Sequence, residues 1–238
     1  MATPFAPTGQ DVERYRRFRA LSMELSHRIV KTIPPRAYDE VGDAIGVLHN
    51  GVLVFDSEDM SNVMLDCCLY NWFENGKNLV QRYAETHPPK PGTDESYLLN
   101  AYTQARYRIL ALHSAVPDAG VHCSDVLNNE DFFLMDLAMS RGLGSGGASF
   151  ATRTIPLGEY SMTSGAGLPI NSKKALQSAF GDTLKYQSLV GPDSFAIVVV
   201  RALLAAGAAY HIAYGSTETI LRKPRIEPRF PGFKRRRR

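Results

Sequence analysis

Between residues 107 and 164 the chain reads YRILALHSAV (107–116), VHCSDVL (121–127), DFFLMDLAMS (131–140), ASFATRTIPL (148–157) and YSMTS (160–164). These runs are rich in β-branched, aromatic and aliphatic residues. Pro117-Asp118-Ala119-Gly120, Asn128-Asn129-Glu130, a glycine-rich stretch at 141–147 and Gly158-Glu159 separate them. Sequential strands with tight connections predict a five-stranded antiparallel meander. Phe132, Phe133, Leu134, Met135 and Leu137 leave the third run almost no polar face, which suits a central strand covered on both sides. Five short strands of this kind curl, so the expected form is a small SH3-like or OB-like barrel.

Upstream the period is helical. Thr8 and Asp11 form a capped start, after which Val12, Tyr15, Phe18, Leu21 or Ser22, Leu25 and Ile29 recur at spacings of three and four before Pro34-Pro35. The other face carries Arg14, Arg17, His27, Arg28 and Lys31, read as a solvated face or a phosphate-facing strip. Further helices are predicted over Arg36 to His49, from a cap at Asp56 or Ser57 to Phe73, over Lys77 to Glu85, and from Thr93 or Asp94 to Ala105. Asn50-Gly51 and Asn75-Gly76 are taken as helix stops, with a strand-like run at Val52 to Phe55. HPPKPG at 87–92 is a stiff connection. Downstream, Asn171 to Phe180 reads as a short helix and Pro192 to Tyr214 as a long buried one. Phe195 to Tyr214 has membrane-spanning length, but Arg201 and His211 and the small-residue run at 205–209 favour a core helix.

The expected class is therefore α+β. Residues 1–91 form a mainly helical region. Residues 92–221 form a helix, the barrel-like unit and a C-terminal helical cap, and residues 222–238 a disordered basic tail. That tail holds nine of the 27 basic residues and one acid, Glu227, a net charge of +8. The remaining 221 residues hold 18 basic against 23 acidic side chains, a net of −5 behind it. A terminal block of like charge repels itself and makes a polyanion the first candidate partner. The candidate nucleic-acid contacts are Arg222, Lys223, Arg225, Arg229, Lys234, Arg235, Arg236, Arg237 and Arg238, with Phe230 and Phe233 as rings for base stacking.

Other motifs reduce to structure. Gly142, Gly144 and Gly147 satisfy GxGxxG, but the loop leads into a strand rather than a helix, so it reads as a hairpin connection. Ser164 has no recognisable partner base. Cys67, Cys68 and Cys123 make no disulfide framework and no zinc spacing, so they read as buried thiols. His122 and Cys123 point to opposite faces of their strand. No metal or cofactor is expected. The N-terminus has no apolar h-region, so the expected location is cytoplasmic.

Across Asp118-Ala119-Gly120-Val121-His122-Cys123-Ser124-Asp125-Val126-Leu127, Glu130 to Asp136, and Ala151-Thr152-Arg153-Thr154-Ile155-Pro156-Leu157-Gly158, the chain resembles a group of uncharacterised bacterial proteins that often end in a SEC-C motif, a cysteine-rich zinc-binding segment. Residues 225–235 are only faintly similar to that segment and contain no cysteine, so zinc binding does not carry over. The resemblance implies a bacterial cytosolic protein and transfers no catalytic residue.

The leading expectation is a non-enzymatic accessory protein associated with RNA, DNA or the ribosome through its tail. The alternative is a protein-interaction adaptor with an incidental tail. A third reading is a hydrolase or nuclease in which Asp56, Asp59 and Asp66 converge.

Overall fold

A computed structural model describes residues 5–143, 148–170 and 192–208, together with Lys174 and Gln177. Helix α1, Gly9–Val30, opens on a capping box in which the Thr8 side chain accepts from Asp11 N and the Asp11 carboxylate accepts from Thr8 N at 2.9 Å. It buries Tyr15, Phe18, Ser22, Leu25 and Ile29, the stripe its periodicity predicts. Helix α2, Pro35–Ile45, is shorter than expected. Its predicted last turn instead becomes β1, Leu48–His49, paired with β2, Val52–Leu53. Asn50 and Gly51 sit between them at φ 52° and 76°. A two-residue turn matching the twist of a hairpin needs positive φ at both centres, which Asn-Gly adopts most readily. The same pair recurs at Asn75 and Gly76, joining β3, Phe73–Glu74, to β4, Lys77–Asn78. Both Asn-Gly pairs are thus hairpin turns. They punctuate α3, Glu58–Asn71, which starts on its Ser57 cap, and α4, Leu79–Thr86, which starts on Asn78. Helix α5, Asp94–Thr103, follows the Pro-rich connection.

The five expected strands are β5, Arg106–Val116; β6, Gly120–Asp125; β7, Glu130–Met135; β8, Ala148–Pro156; and β9, Ser161–Pro169. They form one mixed sheet in the order β5-β6-β7-β9-β8, closed into a barrel because β8 pairs back to β5. The antiparallel meander is corrected at one point: β7 and β9 run parallel, with Leu134 opposite Ser161 and Met135 opposite Met162. The cause lies in the third run, which is not one strand. It breaks at Asp136, whose carboxylate accepts from Ala138 N and Met139 N at 3.0 Å and so caps helix α6, Leu137–Gly142. After that helix, β8 docks on β5 rather than on β7, leaving β7 to β9. Strand β5 serves both neighbours. Arg106 to Leu112 pair with β8, Leu110 to Val116 pair with β6, and the register to β6 shifts between Leu112 and Ser114, where the strand can bend.

Leu110, Leu112, Val121, Cys123 and Leu134 form a small core of their own. The larger core is continuous from the helices into the barrel, joining Phe18, Leu25, Met64 and Leu98 to Ile109, Phe133, Ile155 and Met162. Strand β8 is buried from Ala151 to Ile155 without alternation. Helix α7, Pro192–Ala205, buries Ala196, Val199, Val200 and Leu203. Arg201, the charge that interrupts its apolar run, donates from Nη1 to the carbonyl oxygens of Ala44 at 2.8 Å and Asp43 at 3.5 Å. Its cation therefore meets the negative end of α2. No helix of the described residues is long and apolar enough to cross a membrane. The predicted helix at 171–180, apart from Lys174 and Gln177, the chain after Ala208 and the tail lie outside the described residues.

The β6–β7 register makes a direct prediction. A Cβ on Gly120 would collide with the Leu134 carbonyl oxygen and stand 2.8 Å from Met135 Cα, both backbone atoms that cannot rotate away. Gly120→Ala is expected to cost about 1–3 kcal/mol in urea denaturation, whereas Gly9→Ala, with nothing within 4 Å, is expected to be neutral or better. A Gly120→Ala protein as stable as the parent contradicts this register.

Candidate functional site

Tyr15 and Arg19 stand four residues apart on α1, so both reach the same neighbour. That neighbour is the junction of α6 with β8 and β9, where a cleft of about 300 Å³ opens. Arg19 Nη1 donates to the Thr163 carbonyl oxygen at 2.8 Å, and Thr163 Oγ1 donates to Asp136 Oδ2 at 3.2 Å. One residue of β9 thus anchors a cation at its backbone and an anion at its hydroxyl. The other Asp136 oxygen is occupied by the α6 cap. Thr152 Oγ1 is satisfied by the Ala166 carbonyl at 2.6 Å. Burial, reinforced by the nearby Asp136 charge, pushes the Tyr15 phenol up to about 12 against the opposing Arg19 charge and a backbone hydrogen bond from Leu137. It is a neutral hydroxyl at physiological pH. Leu137, Met139 and Phe150 supply apolar wall.

A second polar cluster lies between α3 and the barrel. Arg153 of β8 donates from Nε to Asp66 Oδ2 at 2.8 Å and from Nη2 to Asn71 Oδ1 at 2.7 Å. Its guanidinium stands 4.1 Å from the Tyr70 ring centroid and 5.5 Å from that of Tyr107. Both ion-pair side chains are 5% exposed. Asp66 is therefore committed to Arg153, which removes it from the trio Asp56, Asp59 and Asp66. Asp59, in the first turn of α3, is pushed up by burial and by Glu58. Among the described residues no three His, Cys, Asp or Glu side chains stand close enough to hold a metal.

Other sequence candidates resolve by position. In the basic strip of α1, Arg17 Nε pairs with Asp94 Oδ2 and Arg28 Nη2 with Glu95 Oε1, each at 2.7 Å, and Arg14 lies 5.2 Å from the centroids of the Phe18 and Tyr97 rings. Asp94, Glu95 and the Tyr97 ring of α5, with Phe18 of α1, thus engage three of the strip's five basic residues. Gly142 ends α6 and the next element, β8, is a strand beginning at Ala148, not the helix that a dinucleotide fingerprint opens; Gly144 and Gly147 lie outside the described residues. Cys123 packs in the small core with Leu110 and Leu134, while on the opposite face of β6 the His122 ring meets Phe133 edge-on at 5.0 Å. Sequence reading missed a hydrogen bond between His113 Nε2 and Ser124 Oγ at 2.8 Å. Asp131 stands opposite Ser124 in the register, on the serine's side of the pair, so it does not orient the imidazole as a triad requires. The tail candidates Arg222 to Arg238 all lie outside the described residues. Sequence reading also missed the cleft. Its signals were the i, i+4 placement of Tyr15 and Arg19 and the lone Asp136 inside an apolar run.

All three cysteines are buried and unbridged. Burial, as the largest cause, pushes Cys68 and Cys123 up to about 12 and Cys67 well above its ordinary value. A thiol reagent at pH 8 is expected to label none of them in the native protein and all three in denaturant. Because these folded values are raised, the thiols' stabilising contribution is complete below the unfolded value near 9 and is lost as pH climbs toward about 12. Fast native-state labelling at pH 8 contradicts the assignment.

Fold and site define the class: an α+β protein in which a helical layer shares one core with a closed five-stranded mixed sheet, with a charged cleft where α1 and α6 meet the sheet. Residues 9–187 match the model of a family of unknown function, DUF7986, and the chain belongs to that family. No curated protein and no solved structure matches it.

Proposed function

We propose that the protein is a non-enzymatic accessory protein that associates with RNA or DNA, free or at the ribosome surface, with the basic tail supplying affinity and the barrel positioning the body. The observation that carries this reading is the strand order β5-β6-β7-β9-β8, with a helix between the third and fourth strands and a parallel pair between the third and fifth. This is the connectivity of the OB-like barrel, whose second and third strands and adjoining loops take oligonucleotides in many proteins. Fold analogy supports the barrel's part in this reading, and charge supports the tail's. The test is mobility of labelled single-stranded and duplex RNA and DNA with the full chain at two salt concentrations. Salt-sensitive binding is expected, and its absence from every probe at micromolar protein overturns the proposal.

One observation favours the adaptor reading instead. Around the corresponding strands and loops Asp131 and Glu159 are exposed, while the nearby Arg108 and Arg141 are engaged by Asp125, Glu130 and Asp118. Exposed acids beside arginines that are already engaged suit a basic protein partner better than a phosphate backbone. On this reading the tail supplies the nucleic-acid affinity and the barrel face takes a protein.

A further inference from the structure

We propose that the cleft between α1, α6 and β9 binds a small zwitterion of α-amino-acid size with an apolar side chain, its carboxylate at Arg19 and its ammonium group at Asp136. Both charges line the same cleft, yet they make no ion pair with each other. Each is instead tethered to one end of Thr163, Arg19 to the carbonyl and Asp136 to the hydroxyl. A guanidinium has five N–H donors, and a single hydrogen bond from Arg19 leaves most of them for a ligand. The Asp136 carboxylate accepts two backbone N–H groups on one oxygen and one hydroxyl on the other, which leaves room for an ammonium proton.

Charge balance selects the ligand class. A simple anion drawn to Arg19 meets the repulsion of Asp136, and a simple amine drawn to Asp136 meets that of Arg19. A zwitterion satisfies both and brings no net charge into the cleft. The wall of Leu137, Met139 and Phe150 offers an apolar side chain a place out of water. A volume of about 300 Å³ is at the small end of ligand sites, suited to an amino acid rather than to a dinucleotide. The Tyr15 hydroxyl adds a neutral polar group to the same wall.

The experiment is calorimetric titration of the full chain with L-leucine, L-methionine and L-phenylalanine. It is compared with 4-methylpentanoate, which is leucine without its amine, and 3-methylbutylamine, which is leucine without its carboxylate. At least one amino acid is expected to bind, and the single-charge analogues of leucine to bind at least about tenfold more weakly than leucine. Arg19→Gln and Asp136→Asn are each expected to lose about tenfold or more in amino-acid affinity. Asparagine caps a helix as well as aspartate does, so Asp136→Asn removes the charge while keeping α6. Thermal unfolding of both variants near the parent temperature separates loss of the site from loss of the fold. The proposal is overturned if none of the amino acids binds at about 10 mM, well above the millimolar range of weak ligands. It is equally overturned if an analogue binds as well as leucine, or if both folded variants bind like the parent.

Discussion

Arg153→Met is expected to destabilise the protein by about 3–5 kcal/mol, the usual cost of leaving one partner of a buried ion pair without the other. Arg153 is enclosed by Asp66, Asn71, Tyr70 and Tyr107, so its loss strands the buried Asp66 carboxylate without its counter-charge. At about 2–4 °C per kcal/mol for a chain of this size, the melting temperature is expected to fall by about 6–20 °C. Asp66→Leu is expected to be similarly damaging, because it leaves an uncompensated guanidinium. The double variant Arg153→Met/Asp66→Leu is expected to be more stable than either single one, since two well-packed apolar side chains often replace a buried pair at little cost. A thermal double-mutant cycle reads this coupling. Near-parental stability of Arg153→Met contradicts the role of this pair as the clamp between α3 and β8.

Deleting residues 222–238 is expected to have its large effect on affinity and almost none on folding. Nine basic residues and one acid among 17 leave the segment no apolar stripe to bury, so the melting temperature is expected to move by no more than about 2 °C. The deletion removes a net +8 and leaves the −5 body, which phosphate repels. For about six phosphate contacts, the logarithm of the binding constant is expected to fall against log salt with a slope near −5 on duplex and −4 on single strands. Affinity of the full chain then drops by about 10³-fold on duplex between 50 and 200 mM salt, and the truncated chain loses that dependence. Phe230→Ala and Phe233→Ala are expected to weaken single-strand binding by about 1–3 kcal/mol per stacked base, with a smaller effect on duplex. A truncated chain that keeps the parent's slope moves the contact out of the tail and into the body.

Local chemistry wrote much of the architecture legibly. The three- and four-residue spacing from Tyr15 to Ile29 is a one-dimensional record of which face of α1 is buried, and the Thr8–Asp11 cap marks its start within the same turn. The strand runs are legible because apolar stretches bounded by Pro, Asn and Gly admit few other structures. Asn50-Gly51 and Asn75-Gly76 were visible as breaks, but their identity as hairpin turns depended on the short strands either side finding each other.

What only the tertiary structure decided is which distant segments meet. The run 132–139 is apolar but for Asp136, so periodicity cannot separate strand β7 from helix α6; the division at Asp136 sends β8 to β5 and creates the parallel β7–β9 pair. Nothing local to ATRTIPL marks Arg153 as buried, and its burial follows from Asp66, 87 residues earlier, arriving beside it. Arg19, Asp136 and Thr163 carry no motif because they lie on three separate elements. The sequence by itself determined the elements, the stripes and the charge split between body and tail, all of which rest on neighbours within a few residues. The barrel's closure, the buried pair and the cleft depend on contacts across a hundred residues or more in some cases, where loop closure leaves no local pattern and only packing selects the partner.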